Sequence, residues 1–186
     1  PYTTVFRSAS AIPILRDVVY RQIRNKLYSA LGGHFYECII GGAAFNKEVE
    51  DFLHQIHFPY TVGYDMTECG PIIGYEDWKI FAKGSCGKIV PCMQIRIDSP
   101  DPQHTPGEIL AKGMNVMLGY YKNEQETLEA IDDEGWIHTG DLGTIDKNGN
   151  IYIRGRKKTM LLGANGQNVY PEEIEDAIMT HTLFTS

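Results

Sequence analysis

The sequence predicts an α/β protein: part of a doubly wound sheet, then a small antiparallel β-barrel-like subdomain, then the start of a small α+β C-terminal domain. Three observations predict it. Between residues 13 and 64 a helical pattern, an apolar strand, a small-residue loop, a second helix and a second strand follow one another, the alternation of parallel-sheet proteins. From residue 87 to 113 short alternating segments are separated by proline and glycine turns, which favours antiparallel pairing. From Gly155 onward charge and glycine rise together.

Ile14, Val18, Ile23, Leu27 and Leu31 recur near the helical period, so Pro13 to Leu31 reads as an amphipathic helix stopped by Gly32-Gly33. His34 to Ile40 reads as a strand, and Cys38-Ile39-Ile40 predicts burial on both of its faces. Gly41-Gly42-Ala43-Ala44 breaks it. Asn46 caps a second helix whose Val49, Phe52, Leu53 and Ile56 share a face, and Tyr60 to Tyr64 is a further strand. Lys88 to Val90, Gln94 to Ile97 and Glu108 to Ala111 are the short strands of the β-rich part, and Asn123 to Ile131 is a short helix. Gly143 to Ile153 is a hairpin, whose Asn148-Gly149 predicts a type I′ turn with both central residues at positive φ. Pro171-Glu172-Glu173 opens a last helix. These elements divide the chain at Gly155-Arg156. Residues 1–154 form one portion (α/β to about 75, β-rich from about 76), and 155–186 begin a second, truncated one.

Composition excludes several classes of function. A hydrophobic fraction of 42% with 22% charged residues is that of a globular chain. A net charge of −7 argues against nucleic acid as a partner, because phosphate backbones are bound by basic surface. No apolar stretch is long enough to span a bilayer. Pro1 to Arg24 carries arginines and apolar residues suited to a peripheral membrane contact, with helix-on-sheet packing as the plainer reading. Cys38, Cys69, Cys86 and Cys92 lack zinc or redox spacing, as expected of reduced thiols in a cytoplasmic protein. His54 and His57 are three residues apart but have no evident third ligand, and solvated or capping roles suit them better. Oligomeric state is not written in this pattern.

Four segments carry candidate chemistry. Tyr64-Asp65-Met66-Thr67-Glu68 follows a strand, where open α/β sheets bind ligands. There Glu68 could hold Mg²⁺, Thr67 could donate to a phosphate and Tyr64 could stack on a base; a surface loop with a capping Thr is the alternative. Gly41-Gly42-Ala43-Ala44 lets a planar ligand approach the backbone, or lets a helix pack closely on the strand. Trp136 to Asp141 ends in an aspartate able to accept from two vicinal hydroxyls, or to form an Asx turn. Gly155-Arg156-Lys157-Lys158 is a basic junction fit for an anion, for a pivot or for solvent.

Taken together these segments resemble the adenylate-forming superfamily of acyl-CoA synthetases, peptide-synthetase adenylation domains and firefly luciferase. Tyr64 to Glu68 resembles its Y-G-x-T-E motif, and Gly107 to Tyr121 its G-E-L…G-Y segment. Trp136 to Asp141 resembles W-x-x-T-G-D, and Gly155 to Lys158 the G-R-x-K/D hinge. Asn165 to Glu175 looks most like bacterial long-chain fatty acid:CoA ligases.

The resemblance implies activation of a fatty acid by Mg-ATP to an acyl-adenylate, then transfer to coenzyme A after the small domain turns. It places Gly42, Ala43 and Tyr64 around adenine, Thr67 at the α-phosphate and Glu68 at magnesium. It puts Asp141 and Arg156 on the ribose and makes Lys158 the pivot. At the position of Asp65 the family pattern has glycine. The family's T-S-G-T-x-G phosphate loop and its P-x-x-x-x-G-K lysine segment do not occur in the 186 residues. The chain is therefore expected to be an internal piece, inactive alone. An aryl- or amino-acid-activating ligase is the nearest alternative, and a non-catalytic nucleotide-binding or interaction module the alternative from another class.

Overall fold

The structure is a computed structural model that describes residues 13–42 and 45–162, together with 168, 169, 171, 174 and 178. The first helix, α1 (Pro13–Ala30), starts at a proline and ends at Gly32 (φ 97°) and Gly33 (φ 71°). It packs through Tyr20, Ile23 and Tyr28. Val18, Leu27 and Leu31, expected on the packed stripe, are 37%, 36% and 59% exposed. Long aromatic side chains reach the core from beside the stripe: the Tyr28 hydroxyl donates to the Phe35 carbonyl at 2.6 Å, and the two rings stand 4.4 Å apart.

Strand β1 (Cys38–Ile40) pairs in parallel with β2 (Tyr60–Val62), with α2 (Lys47–Gln55) between them. The Asn46 side chain accepts from the Val49 N–H at 3.1 Å and caps α2. Burial of β1 on both faces does not hold. Ile39 is 53% exposed, because β1 has one strand neighbour among the described residues. Beneath this pair lies a core of Ile56, Phe58, Tyr60 and Val62.

The strand expected over Tyr60 to Tyr64 is broken at Gly63. The chain leaves the parallel pair there and enters a second sheet, in which β3 (Tyr64–Asp65), β4 (Ile72–Tyr75) and β5 (Lys88–Ile89) pair antiparallel. A third sheet is an antiparallel meander of β6 (Met93–Asp98), β7 (Gly107–Gly113), β8 (Ile137–Ile145) and β9 (Ile151–Arg156). Helix α3 (Glu124–Ala130), capped by Asn123, sits between β7 and β8. The second and third sheets join at one corner, where Ile151 N donates to Gly87 O at 2.9 Å and Cys86 N donates to Ile151 O at 2.7 Å. Gly87 has φ 73°, and a Cβ there would lie 2.4 Å from the Tyr75 carbonyl carbon, so only glycine lets the corner close. Among the described residues the sheets form an open β-rich unit, not a closed barrel. Its core is Ile73, Ile109, Ile137 and Ile151, none more than 1% exposed.

The β8–β9 turn differs from expectation. Gly149 has φ 86°, but Asn148 is not at positive φ, so the turn is not type I′. Asp146 explains this: its carboxylate accepts from the N–H groups of Asn148 (2.8 Å) and Asn150 (2.9 Å) and wraps a longer loop around itself. A final pair, β10 (Leu161–Leu162) and β11 (Asn168–Val169), is antiparallel. The helix expected from Pro171 lies largely outside the described residues. All four cysteines are free thiols. Among the described residues no helix is long and apolar enough to cross a membrane.

Candidate active site

The strand switch at Gly63 builds the site. Tyr64, first residue of β3, turns its side chain inward and is 6% exposed. Its hydroxyl donates to Asp141 Oδ2 at 2.8 Å across 77 residues of sequence. Burial, and then the Asp141 carboxylate beside it, push the Tyr64 hydroxyl well above the ordinary phenol range, so it stays a donor at any physiological pH.

Asp141 sits in β8 just after Gly140 (φ 71°). Its N–H donates to Thr139 Oγ1 at 3.1 Å, and Thr139 Oγ1 donates to the Ile109 carbonyl at 2.8 Å. The Thr-Gly-Asp run is therefore a kink inside a strand, locked to β7, that fixes where the carboxylate points. The second oxygen, Oδ1, receives Arg156 Nε at 3.1 Å from the end of β9. That arginine side chain is 72% exposed, whereas Asp141's is 10% exposed.

The other half of the loop forms a second group. Thr67 and Glu68 lie in a 3₁₀ turn, Thr67–Cys69, with Thr67 exposed and Glu68 half-buried. Glu68 Oε1 accepts from the Tyr120 hydroxyl at 2.9 Å, and its carbonyl accepts from Met117 N at 2.7 Å. The hydrogen bond to Glu68 raises the Tyr120 hydroxyl above its ordinary value. Asn115 Nδ2 reaches the Cys69 carbonyl at 2.5 Å, so the segment after β7 braces the whole turn.

Gly42 is exposed, and its N–H donates to Asp65 Oδ1 at 3.1 Å. Ala43 lies outside the described residues. A cleft of about 300 Å³ opens here, lined among others by Ile39, Gly41, Gly42, Tyr64, Asp65 and Ile72. Lys158 is exposed in the turn after β9, two residues beyond Arg156.

Of the residues singled out in the sequence, Tyr64, Asp141 and Arg156 are joined by direct bonds, and Gly42 shares a cleft wall with Tyr64. Thr67 and Glu68 follow on the same loop, and among the described residues no bond links Glu68 or Lys158 to Asp141. Three contacts in and around the site were not foreseen. Tyr120 stood in the Gly119-Tyr120 segment, but its tie to Glu68 spans 52 residues and leaves no local trace. Asp65 carries no pattern that announces its bond to Gly42. Glu108, 7% exposed, accepts from Lys157 Nζ at 2.8 Å and faces His138 Nδ1 at 3.2 Å. Burial drives the Glu108 carboxyl upward, but those two hydrogen-bond partners outweigh it and hold it below the usual carboxylate range.

The donor set fits a nucleotide. An ionised carboxylate has about four acceptor positions, and Tyr64 and Arg156 use two of Asp141's, which leaves room for sugar hydroxyls. Gly42 leaves the adjoining wall without a side chain: a Cβ there would meet nothing within 4 Å. Glu68 keeps Oε2 clear of Tyr120, and Mg²⁺ is commonly held by one or two carboxylates together with substrate phosphates. Among the described residues no group of three or more His, Cys, Asp or Glu is placed to hold a metal.

Long-chain-fatty-acid–CoA ligase ACSBG2 of Gallus gallus is 36% identical over 166 residues, which cover 89% of this chain and 21% of that protein. 4-coumarate–CoA ligase 5 of Oryza sativa subsp. japonica is 37% identical over 158 residues, covering 77% of this chain and 29% of that protein. Among solved structures, O-succinylbenzoate coenzyme A synthetase (MenE) from Bacillus subtilis in complex with AMP matches with TM-score 0.70 and 26% identity, over 85% of this chain and 35% of that one. The same synthetase with ATP and magnesium ion matches with TM-score 0.69. The chain spans about a fifth to a third of the length of these proteins. Residues 9–121 match the family model of AMP-binding enzymes, more than half of the chain, and the chain belongs to that family.

Proposed function

We propose that these residues are part of an ATP-dependent acid–CoA ligase of the AMP-forming kind, acting on a long-chain fatty acid. The carrying observation is the bonded group Tyr64–Asp141–Arg156, which joins the strand switch of the α/β part to the end of β9. An acid carboxylate would attack the α-phosphorus of ATP, with pyrophosphate leaving. The thiol of coenzyme A would then attack the acyl carbon and release AMP.

In this reading Asp141 accepts from the ribose hydroxyls as Arg156 swings from it onto the sugar, and Tyr64 keeps the carboxylate aimed. Thr67 donates to the α-phosphate, and Gly42 with Ala43 flanks the base. Magnesium, held by Glu68 with the phosphates, would supply neutralisation of the charge that builds on them. Residues 155–186 open the smaller domain, which turns on Lys158 between the two steps and exchanges the groups that exclude water.

The long-chain assignment rests on the fatty-acid ligase among the relatives. An aryl acid is the second reading, favoured by the 37% identity to a 4-coumarate ligase. The test is pyrophosphate release and thioester formation by the full-length protein with palmitate, 4-coumarate and o-succinylbenzoate. A preference for palmitate supports the first reading, a preference for either aryl acid replaces it, and no pyrophosphate with any acid ends both. Asp141→Asn keeps the shape but loses the charge, and is expected to raise the KM for ATP about tenfold, the effect of one hydrogen bond to a charged group. An unchanged KM would remove Asp141 from the nucleotide site. The 186-residue piece alone is expected to release no pyrophosphate above an enzyme-free control.

A further inference from the structure

Glu108 places a carboxylate in β7 beside the buried Ile109, Leu110 and Ala111. A charge taken out of water is costly unless it is paired. The register of β7 against β8 shifts between Glu108 and Leu110, an irregularity of the kind that re-aims a side chain. From there the carboxylate accepts from Lys157 Nζ at 2.8 Å, just past the end of β9, and faces His138 Nδ1 of β8 at 3.2 Å. Lys157 is held a second time, by its backbone N–H, which donates to the Gly140 carbonyl at 2.8 Å. The next residue differs. Lys158 is exposed and makes no hydrogen bond or ion pair among the described residues. Beyond it β10 and β11 pair only with each other. Among the described residues, bonding of the chain to the β-rich sheet therefore stops between Lys157 and Lys158.

We propose that Glu108 is a positioning residue that clamps Lys157, so that turning begins at Lys158 and the backbone of Arg156 stays opposite Asp141 while the chain beyond it moves. The inference rests on the ligase reading above. Arg156 stands in register with Asp141 across β8 and β9, and its side chain bonds that carboxylate at 3.1 Å. A rotation taken up at one residue leaves this register intact. A rotation spread back along the chain would peel the end of β9 from β8 and carry Arg156 with it. An ammonium on a buried carboxylate is a firmer tie than one in water, tempered here by the 59% exposure of the Lys157 side chain.

Two substitutions in the full-length protein cut the clamp from opposite ends. Lys157→Met keeps the apolar stem on an exposed side chain and removes the charge. Glu108→Gln keeps the shape of the buried partner. Without any substrate, hydrogen exchange of the Gly155 to Lys157 amides is expected to be about five times faster in both variants. In Lys157→Met the amides of Ile109 to Ala111 are expected to exchange as in wild type, which separates a local clamp from general loosening. With the acid that the wild-type protein prefers, Lys157→Met is expected to raise the KM for ATP about fivefold at little-changed kcat. Added to Arg156→Gln it is expected to raise that KM no further, because the clamp acts through Arg156.

Unchanged exchange at Gly155 to Lys157 in both variants would overturn the clamp. A fivefold rise in KM that persists in the Arg156→Gln background, or no rise in either background, would overturn the positioning role. If the wild-type protein releases no pyrophosphate with any acid while the exchange result stands, the ligase reading fails and the clamp survives it.

Discussion

The two halves of the molecule are held by different kinds of contact. In the β-rich half, β6 to β9 pair with strands next to them in sequence and cover a core of isoleucines that is essentially sealed: Ile109, Ile137 and Ile151 are each at most 1% exposed. In the α/β half, β1 and β2 pair over three residues each, and Ile39, Leu31 and Tyr36 stand 53%, 59% and 58% exposed. Antiparallel neighbours can close a sheet with short turns, whereas parallel strands need crossovers and further strands on both sides to be buried. Strand order therefore produces a self-contained sheet in one half and an open face in the other among the described residues. The site lies on the seam, with Gly42 from the open half, Asp141 and Arg156 from the closed one, and Tyr64 on β3, where the chain passes from the first to the second.

The largest expected effect tests the closed half. Ile137 is 1% exposed and packs with Ile73, Ile109 and Ile151. Ile137→Ala is expected to lower the opening free energy of β8 amides by about 3 kcal/mol, the lost transfer energy plus the cavity left behind. Hydrogen exchange along β7 and β8 reads it directly, and β1 amides should change little. A loss shared equally by β1 would show that the two halves open together and that the contrast drawn above is wrong.

A smaller effect sharpens the boundary between the β-rich sheet and the segment after β9. Glu108 is buried in β7 and bonds Lys157, just past the end of β9. Because its carboxyl sits below the usual range when folded, it contributes stability above that range, and the contribution is lost as pH falls through the depressed value. Glu108→Gln is expected to cost about 1.5 kcal/mol at neutral pH, reduced by the exposure of the lysine, and to flatten the acid limb of stability below pH about 4.5. An acid limb as steep as wild type would assign that pH dependence to other carboxylates.

Much of this was legible in the sequence where the signal is local. The Asn46 cap, the short helix near Asn123 to Ile131, the start of α1 at Pro13 and the hairpin around Gly149 follow from residues within a few positions of one another. The turn type failed because the Asp146 side chain, two positions before the Asn148-Gly149 pair, competes for the backbone N–H groups. The burial of β1 failed because a parallel strand's environment is set by partners far away in sequence. For the site, motif order named Tyr64, Asp141 and Arg156. It could not show that the Tyr64 hydroxyl is already committed to Asp141, nor that Asp65 bridges to Gly42, since each bond spans more than 20 residues.

The smallest effect sharpens the open half. The Asn46 cap serves a helix of nine residues, whose Val49 is 46% exposed and whose Ile56 end is buried. So short a helix has little intrinsic stability and depends on its cap and its apolar face. Asn46→Ala is expected to cost about 1 kcal/mol, read as faster exchange of the α2 amides. Because α2 is the crossover between β1 and β2, the loss should reach the amides of both strands and leave β6 to β9 untouched. If β1 and β2 keep their full protection, the parallel pair is held by the Phe58 and Tyr60 core alone, and the open half is sturdier than its exposed face implies.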